Sequence, residues 1–287
     1  MIISTRKLKD FIVRMAIYLC AAISVLLIAG IIIYVFAKGI SAVNWSFLTS
    51  VTSVLKGTVG IAGNIVNTLI IIFLTMLIAL PIGVGSAIYL NEYAKPGKIV
   101  TLIEYATETL AGIPSIIFGL FGMMFFGEQL GLGYSIWTGS LTLILMVLPL
   151  ITRNTQEALK TVPDSYRNGA IGLGSGKWHM IRTILVPSSM PGIITGSILA
   201  IGRIVGESAA LLFTAGSAKL LPKGLMGLLN KPMQSGGTLT IQMYLSATSE
   251  GDFHTAFGIA VVLIILVLGI NIATKLITSR VDNSRKD

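Results

Sequence analysis

The stretch NTLIIIFLTMLIALPIGVGSAIY, residues 67–89, decides the fold. It runs twenty-three residues without one Asp, Glu, Lys or Arg. A helix rising about 1.5 Å per residue crosses a hydrocarbon layer about 30 Å thick in about 20 residues, so this segment reads as a membrane span. It is the strongest part of an uncharged run from Gly57 to Asn91, and Pro81 within it predicts a kink. Working outward, five more windows have the same character: Met15–Ala37, Thr109–Gly127, Ser135–Ile151, a segment from Pro191 to about Leu212, and Thr255–Leu276. The first is too long for a signal-peptide core and is expected to stay as an anchor. Glu128 and several glycines between the third and fourth windows leave room only for a tight turn or a re-entrant loop.

Composition agrees. Apolar residues make up 54% of the 287 and charged residues 11%, with a mean hydropathy of +0.86, whereas a soluble domain carries about 25% charged residues. A soluble enzyme, a disordered chain and a nucleic-acid binder are all disfavoured. The expectation is an all-α polytopic membrane protein of six transmembrane helices with both termini cytoplasmic. Residues 1–14 form a cytoplasmic N-terminal segment, 15–277 the membrane domain with a cytoplasmic loop at 153–187, and 278–287 a cytoplasmic tail.

The net charge of +9 follows from topology, because cytoplasmic segments are enriched in Lys and Arg. With both termini inside, fifteen of the 21 basic residues fall on the cytoplasmic side: Arg6, Lys7, Lys9, Arg14, Lys95, Lys98, Arg153, Lys160, Arg167, Lys177, Arg182, Lys275, Arg280, Arg285 and Lys286. Five fall outside: Lys38, Lys56, Lys219, Lys223 and Lys231. Arg203 is left within the membrane. The single cysteine, Cys20, rules out an internal disulfide and a thiolate metal cluster, and His179 and His254 fall on opposite sides, so no metal site is expected.

The fifth span reads GSILAIGRIVGESAALL from Gly196 to Leu212. In a continuous helix Arg203 and Glu207 stack within about 40° of one face. Charges in lipid cost at least a few kcal/mol each, so the pair should face a bundle interior or a water-filled path. The competing reading is an intrahelical ion pair that only fixes packing. Gly192 with Gly196, and Gly202 with Gly206, are spaced for close helix approach.

The inner segment reads TRNTQEALKTVPDSYRNGAIGLGSGKWHMIRTILVPSSMPGI, Thr152 to Ile193. Pro163 stops what precedes it, and Asp164 or Ser165 is expected to cap a short helix to about Ile171. Gly172-Leu173-Gly174 breaks that helix, and a second follows from Ser175 to Leu185, ended by Pro187, with Trp178, Ile181 and Leu185 on one face. Two angled helices with small residues at Gly169, Ala170, Gly172 and Gly174 suit docking in a groove of a soluble partner. An interfacial loop lying on headgroups is the equal alternative.

Together these residues resemble the inner-membrane permease subunits of bacterial ABC importers. The loop motif is matched by Gly169-Ala170, Leu173-Gly174, Leu185-Val186-Pro187 and Pro191-Gly192-Ile193, with Asn168 where those permeases usually carry glutamate. AIGRIVGESAALL (200–212), ALPIGVGSAIYLNEYA (79–94), AGIPSIIFGLFG (111–122) and GTVGIAGNIVNTL (57–69) are similar to the phosphate-specific branch, the PstA family. The resemblance implies the type I permease fold and a bacterial inner-membrane location. It implies a translocation path shared with a second permease, and a dimer of cytoplasmic ATPase subunits docked at Gly169, Ala170, Gly172, Leu173 and Gly174. It also implies an extracytoplasmic phosphate-binding protein, contact with membrane lipid, and no nucleic acid. Arg203 and Glu207 then become the substrate-binding pair, the guanidinium offering paired N–H groups to phosphate oxygens. Glu207 would compete for it or accept a hydrogen bond from a protonated phosphate oxygen. No cofactor is expected on this chain, ATP and Mg belonging to the ATPase. The absence of a G-x-x-x-x-G-K-[ST] pattern agrees, GLGSGK at 172–177 having the wrong spacing. A permease for another oxyanion, molybdate or sulfate, stays open, as does an ion-coupled secondary transporter using Glu207.

Overall fold

The computed structural model describes residues 2–53, 58–95, 97–222 and 224–283, with backbone alone at 2–6, 53, 58 and 277–283. Gly57, Lys56, Lys223, Arg285 and Lys286, which entered the sequence reading, lie outside the described residues, as do the side chains of Arg6 and Arg280.

The chain is a succession of helices with one two-stranded ribbon. Helix α1 is Ile2–Gly39, followed by a 3₁₀ turn at Ile40–Ala42 and the short α2, Trp45–Thr49, whose N-cap Asn44 accepts the Phe47 N–H at 2.8 Å. Strands β1 (Val51–Ser53) and β2 (Thr58–Ile61) pair antiparallel with Val51 opposite Ile61. Helix α3 is Ala62–Ile88, extended by a widened turn at Tyr89–Tyr93. Then come α4, Lys98–Gly112, and α5, Ser115–Gly122, extended by a widened turn at Met123–Gln129. Helix α6 is Ile136–Lys160. On the inner side lie α7, Asp164–Gly172, and α8, Lys177–Met180, which continues through a widened turn at Ile181–Leu185 into α9, Val186–Gly206. Helices α10 (Ala209–Thr214), α11 (Gly224–Asn230) and α12 (Leu239–Thr248) make up the outer part, and α13, Phe253–Asn283, returns across.

Five helical stretches are long and apolar enough to span: Lys7–Ala42, Ala62–Tyr93, Ile136–Lys160, Lys177–Gly206 and Phe253–Leu276. The sixth span differs from expectation. Thr109–Gly127 is not one helix, because Pro114 has no N–H to donate and forces Ile113 into an extended conformation, φ −72° and ψ 132°. Lys98–Gly112 and Ser115–Gln129 meet there at 100°. The second member, residues 115–129, measures only about 22 Å along its axis. Between α5 and α6 the chain turns tightly through Gly131 and Gly133, both at positive φ.

The hub is α3 against α6 against α9. Ile71, Ala79, Leu143, Val147, Ile151, Ala200 and Ile204 are buried between them. Glycines bring the backbones close: a Cβ at Gly83 would sit 2.7 Å from Ile151, one at Gly192 2.4 Å from the Ala158 Cβ, and one at Gly196 2.7 Å from the Asn154 Cβ. Gly192 and Gly196 therefore behave as their spacing predicts. Gly202 and Gly206 have no neighbour within 4 Å of such a Cβ among the described residues of this chain. Helix α1 stays at the margin, meeting α13 where Tyr34 and Phe257 stack edge to face at 5.6 Å.

Two further readings are corrected at the inner side. Neither Asp164 nor Ser165 caps α7, because Pro163 occupies the N-cap position and Asp164 is the first helical residue. The helix after Gly174 does not end at Leu185. The widened turn at Ile181–Leu185 gives up regular i→i−4 bonding where Pro187 withholds a donor, and the helix runs on. Nor do its apolar residues share one face, for Ile181 and Leu185 are buried while Trp178 is exposed.

Candidate functional site

Arg203 lies in the last turn of α9. The helix was expected to continue to Leu212, but it stops at Gly206: Glu207 is extended at φ −81° and ψ 123°, and α10 starts at Ala209. The carboxylate supplies the reason. Glu207 Oε1 accepts the Ala210 N–H at 3.1 Å, satisfying one of the orphan donors at the start of α10. Glu207 thus ends one helix and begins the next, and it meets Arg203 across the break rather than along a helix face. Nη2 and Oε2 are 4.0 Å apart.

The two partners are placed differently. The Glu207 side chain is 6% exposed, and that of Arg203 is 52% exposed. Among the described residues the Arg203 guanidinium donates no hydrogen bond, leaving its five N–H groups open. It lines a cleft of about 320 Å³ with Phe118 of α5 and with Met146, Pro149, Leu150 and Asn154 of α6. The α6 wall of this cleft runs from Met146, near the middle of that helix, to Glu157 near its inner end, and Arg203 opens onto it.

A second cleft of about 210 Å³ shares Thr107, Arg153 and Glu157 with the first and adds Glu104, Glu108, Gln156 and Lys160. Here Arg153 pairs with Glu108 of α4 at 3.1 Å and, more loosely, with Glu157 at 3.8 Å. The Arg203 cleft thus shares a wall, at Thr107, Arg153 and Glu157, with a second cleft lined by charged residues of α4 and α6. Sequence reasoning missed its walls: Glu104, Glu108 and Arg153 are ordinary charges flanking spans until α4 folds back against α6. Chemically, a planar cation with unclaimed donors beside a cleft can hold an oxyanion, and a carboxylate 4.0 Å away keeps that hold weak.

The five residues expected to dock a partner lie in α7 and the turn after it, and they differ in exposure. Gly169, Gly172, Leu173 and Gly174 are exposed, Leu173 at 91%, and Gly174 turns the chain at φ +79°. Ala170 is instead buried with Leu159, Val162, Met180, Ile181 and Leu185. The sequence brought these five residues together as one surface, but the structure makes four of them a rim and the fifth its support. GLGSGK is the turn between α7 and α8. No cluster of His, Cys, Asp or Glu fit for a metal occurs among the described residues.

Comparison with known proteins gives consistent results. Residues 79–287 match the family described as "Binding-protein-dependent transport system inner membrane component". The probable ABC transporter permease protein YqgI of Bacillus subtilis is 40% identical over 74% of this chain and 72% of its own. The phosphate transport system permease protein PstA of Mycobacterium leprae is 31% identical over 93% of this chain and 88% of its own. Among solved structures, a bacterial alginate ABC transporter in complex with its alginate pentasaccharide-bound periplasmic protein has a chain of similar fold, with a TM-score of 0.68 and 14% identity, covering 92% of this chain and 93% of that one. The MetNI methionine ABC transporter, in an inward-facing conformation, gives a TM-score of 0.57 at 21% identity over 77% of this chain and 94% of that one.

Proposed function

The chain belongs to the binding-protein-dependent transport system inner membrane component family, and from that premise we propose that it is the permease subunit of an ATP-driven importer of inorganic phosphate. It is a multi-pass inner-membrane protein with the fold of an ABC importer permease. A second, related permease completes the path. A dimer of cytoplasmic ATPase subunits, carrying ATP and Mg²⁺, docks on the rim formed by Gly169, Gly172, Leu173 and Gly174, with Ala170 behind it. An extracytoplasmic phosphate-binding protein delivers the substrate.

The single observation that carries the substrate class is the Arg203 guanidinium, with five unclaimed donors in a cleft along α6. Its planar fork suits two oxygens of a tetrahedral anion better than an ammonium does. Similarity to phosphate permeases over most of the chain selects phosphate among such anions. Reconstituted in liposomes with its partners, the protein should take up phosphate. Arg203→Ala should abolish uptake and Arg203→Lys should reduce it, with assembly intact. Wild-type uptake in Arg203→Ala would leave the pair a packing feature and remove the basis for the substrate assignment.

A further inference from the structure

Arg203 has a counterpart 36 positions earlier in which every donor is spent. Arg167, on α7, gives Nε to Glu92 Oε1 at 3.3 Å and Nη2 to the same oxygen at 3.0 Å. Nη2 also bonds the Leu159 carbonyl at 3.0 Å, while Nη1 bonds the Val162 carbonyl at 2.8 Å and Asp164 Oδ1 at 3.1 Å. The five N–H groups of the guanidinium thus have five bonds. The Arg167 side chain is 17% exposed and that of Glu92 6%. Asn91 Nδ2 adds a bond of 2.7 Å to the same carboxylate oxygen.

These bonds join three elements. Glu92 lies in the extension of α3, Leu159 lies in the last turn of α6 with Val162 just beyond it, and Arg167 belongs to the helix whose outer rim is offered to the ATPase. At the C-terminus of α6 the Leu159 carbonyl accepts the Val162 N–H at 3.3 Å, and Arg167 gives it a second donor. Ala170 is the one wholly buried residue of α7, and a methyl group anchors little. Arg167 is therefore the main polar tie between α7 and the hub of α3 and α6, and α6 carries the wall of the Arg203 cleft.

We infer that Arg167 and Glu92 form the joint that carries displacement of α7 into α3 and α6, and through α6 into the cleft. They are positioning residues, touching neither substrate nor nucleotide. The inference rests on the importer reading above. A guanidinium fixed by five bonds to the ends of α3 and α6 and to α7 has little freedom to shift, so the pair acts as a rigid strut.

The test uses the complete complex in proteoliposomes, with binding protein and inorganic phosphate, comparing Arg167→Gln, Glu92→Gln, Arg167→Lys and the double Gln variant. Four quantities are read: co-purification of the ATPase, basal ATP hydrolysis, hydrolysis stimulated by binding protein, and phosphate moved per ATP. Expected are wild-type assembly and basal hydrolysis, with phosphate moved per ATP down about tenfold in each single Gln variant. The double variant should be no worse than the poorer single one, and Arg167→Lys, which keeps the charge but not the fork, should recover part of the ratio. Unchanged phosphate per ATP in the single variants overturns the joint. So does a parallel loss of assembly, hydrolysis and uptake that Arg167→Lys shares, which marks a purely structural clamp. Failure of the wild-type complex to move phosphate sinks the importer reading instead, so the two failures are distinct.

Discussion

Glu207 divides its carboxylate between two neighbours: Oε1 accepts the Ala210 N–H at 3.1 Å, and Oε2 stands 4.0 Å from Arg203 Nη2. One oxygen builds the start of α10 while the other faces the cation in the cleft, so fold and function can be separated by substitution.

Glu207→Gln keeps an oxygen for Ala210 and removes the charge, whereas Glu207→Ala removes both. The alanine variant should lose about 1 kcal/mol of stability, the ordinary worth of an N-terminal cap, and the glutamine variant much less. Both should bind phosphate more tightly and turn over more slowly, because nothing then competes for Arg203. Thermal unfolding and phosphate affinity of the purified complex check this, and weaker binding in Glu207→Gln would assign the carboxylate to the substrate instead. Better competition by sulfate in that variant would point the same way.

Close packing at the hub predicts opposite outcomes for two glycines of α9. A methyl group at Gly192 would meet Ala158 at 2.4 Å, so Gly192→Ala should destabilise by about 1–3 kcal/mol. Gly202 faces open space within this chain, and Gly202→Ala should stabilise the isolated subunit by about 0.5–1 kcal/mol through helix propensity. Unfolding followed by tryptophan fluorescence distinguishes them.

The outer loop is held by two buried asparagines of α3. Asn64 Nδ2 donates to the Gly237 carbonyl at 2.9 Å, and Asn67 Nδ2 to those of Ala218 and Gly237, both at 3.1 Å. Asn67→Ala removes two bonds while the Gly237 carbonyl keeps Asn64 and the Ala218 carbonyl keeps the Gly237 N–H, so the cost should be about 0.5–1.5 kcal/mol per lost bond. Protease added from the outer side should then cut within residues 215–238 faster than in the wild type.

Asp252 caps the start of α13 and makes that end sensitive to acid. Hydrogen bonds from the Thr255 hydroxyl and backbone N–H hold its carboxyl below the ordinary value of about 3.9, the nearby His254 adding to the effect. A depressed folded-state value means the contribution to stability is complete above the unfolded value and fades as pH falls through the folded one. Asp252→Asn should therefore melt below the wild type at pH 7, and the two should converge as pH drops below about 4. A constant gap down to pH 3 would contradict the assignment.

Residues 67–89 could not be anything but a membrane span, and the same holds for the first, fourth and sixth windows. Long apolar runs bounded by charge leave lipid as the only solvent. Arg203 and Glu207 were legible for the same reason, since charges inside such a run are costly enough to require a purpose. The break between them was not, because the signal for it is a carboxylate reaching a backbone N–H three residues on, which leaves no periodic trace. Pro114 was visible but was placed inside a span rather than between two helices, and only the 100° bend shows α4 folding away.

What the sequence determined by itself was the solvent and the presence of a charged pair within an apolar span, because hydrophobicity and its interruptions are local properties of the chain. What only the tertiary structure decided was how two arginines differ. Arg203 keeps its donors open beside a cleft, and Arg167 spends all of its own on Glu92, Asp164 and two helix-end carbonyls. The donors and acceptors that settle their roles lie up to 75 residues apart. Such partners meet only when helices pack, and no pattern along the chain records it.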